Sequence, residues 1–226
     1  RGAVEDLFYQ FARRLEGMGE VEHNEVFIDG TKLESRANRY TFVWRKTTEK
    51  YLAKVKDAVR EEFARREIPG NVTLKKLRVL VSSEKAGCEK AGISFVHGAG
   101  HRKLPEQRAY EKRCALLEKW EDYEKKLFVM GNSRNSYAKT DPDATFMHMK
   151  EDHMRNGQLK PGYNVQIAVN SEYITGVAAF PNRTDSGTLR PFLRRLEQCH
   201  GKRYRDIVAD AGYESLDNYL YLEDNG

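Results

Sequence analysis

Residues 25–35 read EVFIDGTKLES, and the fold turns on how the Asp29-Gly30 pair within them is read. Val26, Phe27 and Ile28 suit a buried strand. Asp-Gly commonly stops one, because glycine takes the positive φ of many tight turns and aspartate tolerates turn geometry. On this stretch alone the simple reading is a surface turn after a short strand. A second acid in the same setting changes that reading.

Residues 207–210, IVAD, repeat the pattern: a short apolar strand, then Asp210, with Gly212 close behind and the helix-like run SLDNYLYLE beyond. The segments leading to it predict how the chain gets there. GYNVQIAVN (162–170) alternates Val165, Ile167 and Val169 with Asn164, Gln166 and Ala168, and EYITGVAAF (172–180) follows after a link too short for anything but an antiparallel pair. TDSGTLRPFLRRL (184–196) reads as a helix capped by Thr184, Asp185 or Ser186, with Leu189, Phe192, Leu193 and Leu196 as its buried stripe. Hairpin, helix, strand is the order in which a right-handed crossover lays a new strand parallel to an old one. If 207–209 lies parallel beside 25–28, Asp29 and Asp210 emerge at one carboxyl edge.

Two carboxylates side by side repel unless a cation lies between them. Mg²⁺ or Mn²⁺ prefers oxygen ligands, and two such ions about 3.5–4 Å apart serve in-line phosphoryl displacement. Asp29 and Asp210 are therefore the candidate metal ligands and catalytic residues.

Composition sets the bounds. The chain has 226 residues, 39% hydrophobic and 32% charged, enough for one large domain or a domain with a sizeable insertion. No apolar run approaches a membrane span, and there is no signal peptide; the opening RGAVEDLFYQF, without a methionine, suggests a piece of a longer polypeptide. Three widely spaced cysteines, Cys88, Cys114 and Cys199, favour a reducing cytosol and form no C-x-x-C zinc pattern. The net charge of +5 is compatible with a polyanionic partner.

Elsewhere, residues 4–15 show helical spacing with Val4, Leu7, Phe8, Phe11 and Leu15 on one face. NRYTFVWRK (38–46) suggests a second strand, and from about Thr47 helical periodicity lasts some ninety residues. Leu52, Val55, Val59 and Phe63 form one stripe, Leu74, Leu77 and Val81 a weaker one, and Leu116, Trp120, Tyr123 and Leu127 the seam of helices packed lengthwise. Asp141, Asp143, His148, Asp152 and His153 make a dense group, but Asp-Pro-Asp reads first as a rigid turn. His97 and His101 are separated by glycines and read as loop residues.

FIDGTKLES with NRYTFVW behind it, RNSYAKTDPDATFM, KEDHMRNGQLKPGYNVQIAV, FPNRTDSGTLRPFL and IVADAGYESLDNYLYL resemble, in that order, the DDE transposases of bacterial insertion sequences. The resemblance implies an α/β, RNase H-like mixed sheet with flanking helices and a long helical insertion, divided as 1–46, 47–136 and 137–226. It implies metal-dependent DNA cleavage and strand transfer with two Mg²⁺ or Mn²⁺ ions on Asp29 and Asp210, and double-stranded DNA at element ends and target as partner. A homodimer in the full-length protein and a cytoplasmic, nucleoid-associated location are implied as well. The family's third acid, a glutamate on a later helix, is expected beyond Gly226, so this chain alone would hold an incomplete site. The alternatives are a remnant that only binds DNA or pairs with another transposase through its helical segment, and a nuclease of the same fold that never joins strands. Lys32, Arg36, Arg39, Lys139, Lys150, Arg155, Lys160 and Arg183, all near the predicted edge, are the candidate phosphate contacts, and Tyr163 and Tyr213 would stack on a base or pack on the sheet.

Overall fold

The computed structural model describes residues 2–96, 102–150 and 157–225. In chain order its elements are α1 (Gly2–Gly17), β1 (Glu25–Glu34), β2 (Phe42–Trp44), α2 (Arg45–Arg65), α3 (Leu74–Lys90), α4 (Pro105–Met130), β3 (Ser136–Ala138), β4 (Thr145–His148), β5 (Leu159–Asn170), β6 (Tyr173–Phe180), α5 (Leu189–His200), β7 (Asp206–Ala209) and α6 (Leu216–Asn225). They fall into two compact units, Arg1–Phe42 with Ser136–Gly226, and Val43–Asn135. Among the described residues no helix is long and apolar enough to cross a membrane.

The first unit is a mixed sheet of order β4-β5-β1-β7. β5 is its spine. One edge pairs antiparallel with β1, while the other pairs with β4 at its start and with β6 over the remainder. The tight β5–β6 link holds Ser171 and Glu172 at positive φ. α5 then returns the chain so that β7 runs parallel to β1, the crossover predicted from the order of the segments. This is a mixed α/β sheet of the RNase H-like kind.

One face of the sheet makes the core. Val26 and Ile28 of β1, Ala168 of β5 and Ala178 of β6 pack against Leu189, Phe192 and Leu196 of α5, with Tyr204 and Tyr213 closing the ends. α5 comes so close that a Cβ on Gly176 would lie 2.1 Å from Leu196 Cδ2. The other face keeps Phe27, Ile174, Val177 and Val208 at the surface.

At three points the structure departs from the sequence expectation or decides what it left open. First, β1 does not end at Asp29: it runs straight through Asp29-Gly30 to Glu34, with Asp29 opposite Ile167 and Gly30 opposite Gln166. A continuous antiparallel partner supplies ladder hydrogen bonds that outweigh the local turn preference. Glycine is needed there for space, since a Cβ would stand 2.6 Å from Gln166 Nε2 and 2.8 Å from Asp185 Oδ1.

Second, β5 turns its polar residues inward: Asn164, Gln166 and Asn170 are buried, and Val165, Ile167 and Val169 are only half-buried. The amides are tolerated because each finds a partner. Asn170, for example, donates to the Glu25 carbonyl and accepts from the Glu22 N–H. Third, α1 buries Tyr9, Ala12 and Leu15, while Val4, Leu7 and Phe11 lie in solvent. Helical spacing alone does not decide between the two adjacent stripes, because apolar residues occupy both.

The second unit is helical. Leu52, Val55, Val59 and Phe63 of α2, Leu77 and Val81 of α3 and Trp120 of α4 form its core, with Leu116, Tyr123 and Leu127 packed against it. Not all of α4's charges are solvated. Arg113 is buried and pairs with Glu84 at 2.5 Å and Glu62 at 3.4 Å. The hydrogen bond from Lys112 holds the Glu62 carboxyl below its ordinary range.

Gly30→Ala forces the Gln166 and Asp185 side chains apart, so overpacking should cost about 1–3 kcal/mol. Chemical denaturation of the variant against the native chain measures it.

Candidate active site

The β1–β7 register pairs Glu25 with Asp206 and runs to Ile28 opposite Ala209. The next residue on each strand is the acid. Asp29 and Asp210 thus stand side by side where β7 ends, and both line one open depression of about 560 Å³ with Phe27, Ile167, Val169 and Val208. Beyond this point the two chains diverge. β1 continues along β5, whereas Asp210 leaves the sheet and caps a short 3₁₀ turn, its Oδ1 accepting from the Gly212 N–H at 2.9 Å.

Asp29 is held in a comparable way, its Oδ1 accepting from the Gly30 N–H at 2.7 Å. One backbone N–H therefore orients each carboxylate. Lys150 is a cation beside Asp29: its ammonium lies 3.8 Å from Asp29 Oδ1 and donates to the Gly30 carbonyl. Two neighbouring, solvent-reachable carboxylates are a hard-oxygen donor set, the kind that suits Mg²⁺ or Mn²⁺ rather than a softer metal.

Sequence reasoning missed Asp185, taking it as a helix cap. Thr184, Asp185 and Ser186 do not cap α5; its N-cap position is Thr188, which makes no side-chain cap. The Asp185 carboxylate instead lies beneath Gly30, accepting from Asn164 Nδ2 at 2.8 Å and Gln166 Nε2 at 3.1 Å. Gln166 in turn accepts from the buried Tyr213 hydroxyl. Burial raises the Tyr213 phenol well above its ordinary range, helped by the carboxylates of Asp185, Asp29 and Asp210. The available signal was Asn164 and Gln166, two amides on the same face of β5 that require a polar partner once buried.

The candidate phosphate contacts separate into groups. Arg36, Arg39 and Lys139 are exposed and rise from neighbouring loops joined by Lys139 N–H to the Thr41 carbonyl and Asn38 N–H to Thr140 Oγ1. Lys32 is half-buried on β1 opposite Asn164. Lys160 pairs with Glu34 at 2.8 Å, and Arg183 reaches Ser136 Oγ at 3.4 Å. Arg155 lies outside the described residues, as do His97, His101, Asp152 and His153.

Asp141 serves as a structural acceptor, taking hydrogen bonds from Ser35 Oγ at 2.5 Å and from Tyr163 Oη. Tyr163 is committed to that bond. Burial pushes the Asp141 carboxyl up, but the Ser35 and Tyr163 hydroxyls and the backbone N–H groups of Asp143 and Ala144 outweigh it and hold the group below its ordinary value.

Residues 135–226, which carry β3 through α6 and with them Asp185 and Asp210, match the family model described as Transposase DDE domain. Over those residues the chain is similar to a transposase DDE domain. The matched part of the domain contains β5, the strand that holds β1 in place, although β1 and Asp29 lie outside the match. That likeness supports a transposase function in general terms. Neither a curated protein nor a solved structure matches the chain.

Asp141→Asn should cost about 2 kcal/mol at pH 7, since it weakens hydrogen bonds to a charged acceptor. Because the folded-state pKa is depressed, that stability is present above pH 3.8 and lost as pH falls through the folded value. Denaturation of both proteins should show the gap closing only in that acid range.

Proposed function

We propose that the chain is the catalytic part of a transposase that cuts DNA and transfers its strands, with Asp29 and Asp210 as the metal-binding acids. The observation that carries this reading is the parallel β1–β7 register, which makes successive positions of two remote segments neighbours. In the same reading the helical unit is an insertion within the catalytic domain.

Asp29 and Asp210 would hold Mg²⁺ or Mn²⁺, two ions in full. When bound, the metal neutralises phosphate charge and activates the attacking oxygen. The protein's own contributions are positional. Each carboxylate is fixed by a backbone N–H, so little freedom is lost when it takes up a ligand. Lys150 balances the charge of Asp29 when no substrate is present, and it stands where it can take a phosphate oxygen. The Asn164–Gln166–Asp185–Tyr213 network keeps the floor beneath Gly30 rigid. Arg36, Arg39 and Lys139, on loops that follow β1 and β3, supply positive charge for the backbone of a DNA duplex.

In the full-length protein, Asp29→Asn or Asp210→Asn should abolish strand cleavage, read on labelled DNA carrying the element end, while binding stays close to native; retained cleavage refutes the assignment. Replacing Arg36, Arg39 and Lys139 together by alanine should leave the acids in place but reduce the salt dependence of DNA binding by about three phosphate contacts. An unchanged slope would remove those residues from the interface.

A further inference from the structure

The sheet has a second edge, where β1 and β7 begin. There the Arg205 and Asp206 N–H groups bond to the Asn24 carbonyl, which brings His23, just before β1, beside Tyr204, just before β7. The two rings stack at 4.4 Å, and His200, at the end of α5, meets His23 edge-on at 5.0 Å. Glu16, in the last turn of α1, completes the group: its Oε1 lies 3.4 Å from His23 Nδ1. One ligand atom from each of Glu16, His23 and His200 falls within 4.8 Å of the others.

The state of the imidazoles is unusual. The His23 side chain is only 7% exposed, and neither ring nitrogen has a hydrogen-bond partner. His200 is 8% exposed. Its Nε2–H donates to the Thr175 carbonyl at 2.8 Å, which fixes the tautomer and leaves Nδ1 as a lone-pair nitrogen, also buried without a partner. An imidazole oriented through one nitrogen by a backbone carbonyl, with the other bare, is the usual outer-shell arrangement of a metal-bound histidine. Buried polar nitrogens left unpaired are costly, and an ion at this point would satisfy one on each ring.

We propose that Glu16, His23 and His200 form a transition-metal site, suited to Zn²⁺ with water as a fourth ligand. Two imidazoles and one carboxylate fit Zn²⁺ better than Mg²⁺, which prefers an all-oxygen shell. The Lys202 ammonium now occupies the Glu16 carboxylate from the solvent side and must move aside, which its half-exposed side chain permits. The site ties α1 to the end of α5 and to the start of β1. It lies at the opposite edge from Asp29 and Asp210, so it is separate from the ions assigned to those acids.

Titration of the metal-free chain with Co²⁺, followed by visible absorption and then by Zn²⁺ competition, tests it. One equivalent of Co²⁺ should give the intense bands of a low-coordinate nitrogen–oxygen site, Zn²⁺ should abolish them, and bound metal should raise the melting temperature. His23→Gln and Glu16→Gln should both lose the bands, the latter changing a side chain near the surface and preserving the fold by circular dichroism. Lys202→Ala should tighten binding. The Asp29→Asn/Asp210→Asn double variant should keep the bands, so the result does not depend on the proposed catalytic assignment. Absence of the bands in the native chain, their persistence in Glu16→Gln, or their loss only in the Asp29/Asp210 variant overturns the proposal.

Discussion

The structure rests on the double pairing of β1, antiparallel to β5 along most of its length and parallel to β7 for four residues. Side chains alternate along a strand, so a slip of one residue would turn Val26 and Ile28 out of the core and carry Asp29 to the wrong face. The apolar packing against α5 therefore fixes the position of the acids as well. The few kcal/mol from burying each of Val26 and Ile28 exceed what a polar side chain at an exposed position can contribute, so the core decides the register and Asp29 follows.

A layer of polar order sits within this apolar frame. Asp185, Asn164, Gln166 and Tyr213 are linked on the inner face directly below Gly30. Such a network is tolerable only when nearly every member is satisfied, and then it resists deformation more than an aliphatic layer would. The Asp29 backbone thus lies over a rigid support. Asp210 is attached to the same support through the turn that carries Tyr213.

Much of this was legible in the sequence. The antiparallel β5–β6 pair, α5 and the parallel return of β7 beside β1 all follow from short apolar runs and the handedness of crossovers. What was not legible has a common cause: local pattern does not specify tertiary partners. Asp29-Gly30 has turn chemistry, yet a partner strand more than a hundred residues away keeps it extended. Val165, Ile167 and Val169 have the residue types of a core face, yet the amides between them are the buried set because Asp185 and Tyr213 await them. Two apolar stripes on α1 compete for one contact, and only packing against the rest of its unit selects Tyr9, Ala12 and Leu15. His23 and His200 carry no spacing signal, because sheet topology alone brings them together.

The same double pairing has a consequence during synthesis. β1 emerges from the ribosome long before either of its partners, with Val26 and Ile28 uncovered, whereas the core of α2, α3 and α4 draws only on residues made in one continuous stretch. Local contacts form quickly and distant ones late. The helical part can thus mature while the nascent chain still tethers β1 with both of its edges unpaired.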